Sequence, residues 1–317
     1  ADFAVVTGEG SWKITAGELD AATWFAVIAP KLGTTASGIH AVGTLRLTGG
    51  GTLKQRRPIG RVELTWQGGA LRHAGQGWSL DDIELRGAYD VDAQAYAVTS
   101  AGPLELTVRT ITTTRFGARN VLVRGLLNGD GTLALSEARV EIAGGEIRVD
   151  PCTVQLTPLK LDLNLHIDRV GLQDVVALVP AALSDARGRV DGEVRVSWSA
   201  EEGFQIGAGS LTLRNDEPAI VRLTATPGFL TQRLPARISL LPSWTGALGR
   251  WLAPVNPAYH DMQEIEMGRA NLRVETLRID LTPEGDEQGR TAQVYVSARP
   301  EQAGGTVKEV TFQVNVS

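Results

Sequence analysis

The sequence predicts a mainly β protein: an elongated, curled antiparallel sheet shaped as a groove, built from repeats and carrying two or three short helices. Three observations lead there. Apolar residues fall on every second position through most of the chain, the period of a strand with one apolar and one wet face. A phrase recurs, since Gly60-Arg61-Val62-Glu63-Leu64-Thr65-Trp66 is matched by Gly192-Glu193-Val194-Arg195-Val196-Ser197-Trp198, with a shorter echo at Gly43-Thr44-Leu45-Arg46-Leu47. Gly-rich turn signals separate the alternating runs at short intervals, which favours hairpins in sequence order over crossovers.

The elements follow in order. Leu19 to Pro30 and Leu172 to Pro180 are apolar on more than one side and read as matching short helices, about 19–29 and 172–179. Each precedes a Gly-x-apolar-x-apolar strand, giving a unit of strand, helix, linker and meander with a period of about 150 residues. The predicted units are 1–158 and 159–317, joined in one continuous elongated domain. A further short helix is predicted at 244–251, between Pro242 and Pro254. The two matching helices are expected to plug the open end of a sheet and hide its apolar edge. Alternation is clearest at Leu104/Leu106/Val108, Val121/Val123, Leu133/Leu135, Val140/Ile142, Ile147/Val149, Leu161/Leu163/Leu165, Leu211/Leu213, Leu277/Ile279/Leu281 and Val294/Val296. Gly49-Gly50-Gly51, Gly68-Gly69, Asn128-Gly129-Asp130-Gly131, Gly144-Gly145 and Gly304-Gly305 read as the turns.

Composition narrows the function. At 317 residues and 43% hydrophobic content the chain can bury a core, and aromatics at only 5% make its apolar surfaces aliphatic. The net charge of −5, with basic residues scattered over strand positions, argues against a nucleic-acid partner. No apolar run approaches the roughly 20 residues of a membrane-spanning helix. The start, Ala1-Asp2-Phe3, has neither a Met nor a signal-peptide pattern, so an excised part of something longer is expected. The single Cys152 allows no disulfide framework within one chain, which fits an extracytoplasmic location.

Nothing in the sequence carries catalysis, a metal or a cofactor. His40, His73, His166 and His260 are far apart, and none has a partner at zinc-ligand spacing. His166, Asp162 and Asp168 alternate on the polar side of one strand, as a charged outer sheet face would have them. Asn128-Gly129-Asp130-Gly131 lacks the later oxygen ligands and closing Glu of a calcium loop. Gly49-Gly50-Gly51 is not followed by Lys-Ser or Lys-Thr on a helix, and there is no Gly-x-Ser-x-Gly elbow.

Several segments resemble a known family. They are Ala143 to Pro151, Leu161 to Ile167, Asp168 to Val176, and Gly188 to Gly192 leading into Phe204 to Leu211. Together they look like the carboxy-terminal part of YdbH-type proteins, in the AsmA-like group that includes TamB. The resemblance covers residues 100–317 well and the first hundred more loosely. It implies a periplasmic bridge, tethered to the inner membrane, that conducts phospholipid toward the outer membrane along an apolar groove. It also implies membrane contact through an N-terminal anchor that this chain lacks, or through partner proteins.

The alternation supplies a mechanism of its own. If the apolar sides of the strands share a concave face, Leu45, Leu47, Val62, Leu64, Leu104, Leu106, Val108, Leu161, Leu163, Leu165, Val194, Val196, Leu211, Leu213, Leu277 and Ile279 line a trough for acyl chains. Roughly 16 strands about 4.8 Å apart would extend it over some 75 Å. The alternative is a non-catalytic β-scaffold or envelope-assembly module whose apolar faces meet and fill each other. A glycan-acting enzyme would need paired carboxylates and exposed aromatics together on one surface, for which the tryptophans offer the only hint.

Overall fold

The computed structural model describes residues 10–28, 38–55, 57–93, 95, 97–114, 116–156, 158–176, 183–199, 201–232, 234–238, 254–283, 285, 291–301 and 305–316. Among them are 18 strands: β1 (Gly10–Asp20), β2 (Ile39–Lys54), β3 (Arg57–His73), β4 (Trp78–Asp92), β5 (Ala97–Ser100), β6 (Leu104–Thr112), β7 (Gly117–Leu127), β8 (Thr132–Ile142), β9 (Gly145–Val149), β10 (Cys152–Leu156), β11 (Leu159–Gly171), β12 (Leu183–Arg187), β13 (Arg189–Ser199), β14 (Gly203–Leu213), β15 (Ala219–Leu223), β16 (Leu272–Leu281), β17 (Ala292–Pro300) and β18 (Val310–Val316). Three short helices accompany them: α1 (Ala21–Ile28), α2 (Leu172–Val176) and α3 (Pro257–Glu266). The mainly β, antiparallel class is the one the alternation predicts. The predicted helix at 244–251 lies outside the described residues.

Contacts divide the chain into two units, residues 1–166 with 195–206, and residues 167–194 with 207–317. In the first, β1 to β4 pair in sequence order, β4 pairs with both β5 and β6, and β6 to β8 continue the meander. The long β8 is flanked by β9 along one half and β10 along the other, and β10 turns into β11. Strands β2, β3 and β4 run 16, 17 and 15 residues, well beyond the usual strand length.

Two glycine clusters expected to be turns lie inside these long strands. Gly49-Gly50-Gly51 belongs to β2 and Gly68-Gly69 to β3. The reason at the first is close approach of backbones: a Cβ on Gly51 would lie 2.0 Å from the Ile59 carbonyl oxygen, and one on Gly60 would lie 2.3 Å from that of Gly50. In the second unit a Cβ on Gly192 would lie 2.1 Å from the Ser210 oxygen. Both copies of the recurring phrase thus open where the neighbouring strand leaves no room for a side chain. Gly68-Gly69 instead sits in a β-bulge, one of several placed side by side. The register slips at Gly43 in β2, at Gly68 in β3, at Asp82 in β4 and at Asn120 in β7. All four residues have positive φ, from 52° to 113°. Bulges bend a strand and sharpen its twist, so aligned bulges crease neighbouring strands together.

The second unit buries its apolar face more completely. Strand β16 lies between β15 and β17, with β18 beyond β17. Leu272, Leu277, Ile279, Val294, Val296 and Ala298 are all 0–1% exposed. Helix α3 starts at Asn256, whose side chain accepts from the Ala258 N–H, with Pro257 in the first turn. It contributes the buried Ile265. The chain before it adds Phe229, edge-on to Phe312 with ring centroids 6.1 Å apart.

The glycine contacts set a stability expectation. Gly51→Val should destabilise by at least about 2 kcal/mol in urea unfolding, because no side chain there can avoid the Ile59 carbonyl. Gly102→Ala, at a glycine with nothing within 4 Å of its would-be Cβ, should stay within about 0.5 kcal/mol of the parent.

Candidate functional site

The first unit separates its side chains into two faces, and the pairing register shows how. Leu19 stands opposite Leu45, Leu45 opposite Trp66, Trp66 opposite Leu85, and Leu85 opposite Leu106. Leu106 then faces Val123, Val123 faces Ala138, and Ala138 faces Val149. A second row runs beside it, in which Leu47 faces Leu64 and Leu64 faces Gly87, and further along Leu104 faces Gly125 and Gly125 faces Leu135. A third pairs Ile83 with Val108 and Val108 with Val121. Directly opposed residues share a face, so these rows tile one aliphatic surface from β1 to β9.

The other face is charged. Arg46 pairs with Glu18 at 2.7 Å, Arg61 with Asp90 at 3.0 Å, Arg72 with Asp81 at 3.0 Å and Arg109 with Asp82 at 3.2 Å. Arg124 bridges Glu105 and Glu137 at 2.8 and 2.9 Å, and Arg195 holds Asp162 at 2.7 Å. The hydrogen bond from Arg195 keeps the Asp162 carboxyl below its ordinary range, and that from Arg72 does the same for Asp81. These groups are exposed, so each pair contributes little to stability. Their effect is to hold the charged side of the sheet to water.

The aliphatic surface is neither closed nor bare. Leu47, Val62, Leu64, Leu104 and Leu106 are half-buried, whereas Leu45 and Val108 are buried. Leu19, Val98, Leu156 and Leu159 are 40%, 43%, 37% and 40% exposed on the same side. Leu161, Leu163 and Leu165 continue it at alternate, half-buried positions of β11. Val196 is buried on β13.

Helix α1 covers one part of this surface. Asp20 caps it by accepting from the Thr23 N–H. Ala21 forms a buried cluster with Ala41 and Leu45, and Phe25, Leu64, Trp66 and Leu71 pack against that cluster. The helix was expected at a sheet's open edge; Ala21 instead packs on Ala41 and Leu45 of the β2 face. Trp66 is also on this face. Its indole N–H donates to the Val42 carbonyl at 3.2 Å, and a Cβ on Gly43 or Gly69 would meet the ring at 2.6 Å.

The remaining sequence-predicted lining residues belong to the second unit. Leu211 stands opposite Ile279, and Leu277 opposite Val296. Leu211, Leu277 and Ile279 are 3%, 1% and 1% exposed, and Val194 is 7% exposed, while Leu213 is half-buried. What sequence reasoning missed here is the clasp over this core. Glu266, 3% exposed at the end of α3, accepts from the N–H groups of Leu230 and Thr231 and from the Thr231 hydroxyl at 2.8–3.0 Å. Burial pushes its carboxyl up, but these hydrogen bonds outweigh burial and hold it below the ordinary carboxylate range. Asp261 of the same helix accepts from Thr306 and Val307. The Asn256-Pro257 start was the available sequence signal for this helix.

The histidine and acid positions form no common centre. His166 Nε2 lies 2.7 Å from Asp150 Oδ1, and Asp168 pairs with Arg214. Among the described residues no cluster of His, Cys, Asp or Glu could hold a metal ion, and no helix is long and apolar enough to cross a membrane.

One comparison with known proteins decides the family. The family model described as YdbH-like, intermembrane phospholipid transport protein YdbH, matches residues 4–234. The chain belongs to the YdbH-like family. Neither a curated protein nor a solved structure matches it significantly. The YdbH-like match spans nearly all of the two-faced sheet of the first unit and stops within the segment that Glu266 clasps.

The clasp predicts a pH effect. Glu266 titrates lower in the folded chain than in the unfolded one, so its stabilisation is complete above the ordinary carboxylate range and fades as pH falls through the folded value. Glu266→Gln should cost about 1–3 kcal/mol at pH 7 and flatten the acid limb of a stability-against-pH curve.

Proposed function

We propose that this chain is a lipid-carrying segment of a bridge-like transporter, holding the acyl chains of phospholipid on the aliphatic face of its first unit while the headgroup stays in water. The observation that carries this is the half-open aliphatic surface tiled by opposed Leu, Val and Ile residues, backed by a continuous charged face. Membership of a family described by intermembrane phospholipid transport supports it. Each methylene withdrawn from water there is worth about 0.8 kcal/mol, enough to retain an acyl chain. Because successive rows are chemically alike, a chain moves between them without a deep minimum. The lining set is Leu45, Leu47, Val62, Leu64, Leu104, Leu106, Val108, Leu161, Leu163, Leu165 and Val196, and no catalytic step is involved. A periplasmic setting and tethering to the inner membrane through segments or partners outside this chain complete the proposal.

A scaffold role suits the second unit, where Leu272, Val294 and Ala298, each 0% exposed, leave no space on their side of the sheet. Leu211, Leu277 and Ile279 belong to that filled core, so these three are taken up by packing within the second unit.

Purified chain should bring phospholipid with it, read by native mass spectrometry, and take it up again after delipidation; failure to take up any lipid sinks the proposal. Leu163→Asp and Leu106→Asp should each slow vesicle-to-vesicle transfer at least about tenfold, because a carboxylate beside an acyl chain costs several kcal/mol. Folding should suffer less, since both positions are half-buried.

A further inference from the structure

The aliphatic face of the first unit carries a polar spot on β4 and β5. Tyr89 on β4 stands opposite Val62 on β3 and Ser100 on β5, so all three share that face. The next residue, Asp90, pairs with Arg61 on the charged side. A Cβ placed on Gly87 would come within 2.6 Å of the Tyr89 hydroxyl and 2.8 Å of Cζ. The ring therefore lies lengthwise along β4, away from the hairpin end at Asp92, and holds its hydroxyl above Gly87, opposite Leu64. A tyrosine seeking only solvent would point its tip outward.

The hydroxyl has no hydrogen-bond partner among the described residues. A phenol is a protonated donor at neutral pH, and burial pushes this one further up from its ordinary pKa. The Ser100 Oγ accepts from the Leu127 N–H at 2.8 Å, and its own O–H donates to nothing among the described residues. Two neutral donors thus stand on opposed residues of adjacent strands, within a mainly aliphatic surface.

We infer that Tyr89 and Ser100 are a donor pair for the ester carbonyl oxygens of a diacyl glycerophospholipid, with Gly87 leaving the room that lets Tyr89 take its pose. This rests on the lipid-carrying reading above and specifies the ligand's chemistry at one point of the face. Ester oxygens fit better than phosphate, because a phosphate drawn onto this surface would need cationic partners and the nearby Arg61 is turned to the other side. The ester region is also the part of a phospholipid that follows directly from its acyl chains. A neutral hydrogen bond is weak enough to set register without trapping a moving lipid.

The test compares diacyl phosphatidylethanolamine with its dialkyl ether analogue, which lacks the ester carbonyls, for binding to the delipidated full chain. The parent should prefer the diacyl lipid about fivefold, the worth of one neutral hydrogen bond. Tyr89→Phe should lower that ratio at least about twofold with binding of the ether lipid unchanged, and Gly87→Ala, which displaces the ring without deleting the hydroxyl, should do the same. If Gly87→Ala does not fold, Ser100→Ala supplies the second variant, with a partial loss of preference expected. Equal binding of the two lipids by the parent, or a preference undiminished by Tyr89→Phe, overturns the inference and leaves the lipid-carrying reading standing. Binding of neither lipid overturns both.

Discussion

Strict alternation across an antiparallel ladder gives a sheet two faces and obliges each residue to suit one of them. Here the obligation is met by chemical segregation carried through strand after strand. Arginine and carboxylate side chains meet on one side, at Arg46 and Glu18, Arg61 and Asp90, Arg124 and Glu105, while aliphatic residues meet on the other. Since none of the ion pairs is buried, they add little stability individually. Their worth is in specifying which side faces water, because a slip of one residue would put a whole row of charges on the apolar face.

The two units use this segregation differently. In the second, α3 and the segment before it close over the apolar side, and Glu266 fastens them through three hydrogen bonds. In the first, among the described residues, α1 covers one patch of a surface whose aliphatic residues range from buried to exposed. Leaving that surface partly wet forgoes burial energy. A protein that carries an apolar cargo requires such a deficit, since a filled face has nothing to offer an acyl chain.

Much of this was legible in the sequence, and what was hidden has physical reasons. Alternation at Leu104/Leu106/Val108 and at Val294/Val296 marks strands β6 and β17 directly, and Asn128-Gly129-Asp130-Gly131 is the hairpin turn it resembles, with Asp130 accepting from the Thr132 N–H. Glycine clusters at 49–51 and 68–69 misled because sequence does not distinguish a glycine needed for a turn from one needed where two backbones nearly touch. Helix α3 escaped because its composition, Pro257 to Glu266, is largely polar and its one well-buried aliphatic is Ile265. The aliphatic character of the candidate site could be read from spacing alone. Its polar spot could not, because the pose of Tyr89 depends on an absent side chain two residues away.

The aligned bulges at Gly43, Gly68, Asp82 and Asn120 bear on how such a sheet can change over evolutionary time. One residue gained or lost within a strand would ordinarily turn the rest of that strand inside out, with its apolar residues to solvent and its charges to the aliphatic side. A bulge is the place where an odd residue is already accommodated. The crease therefore serves as an expansion joint: insertions and deletions can be absorbed along it, or at hairpin tips, while the lettering on both faces stays in phase.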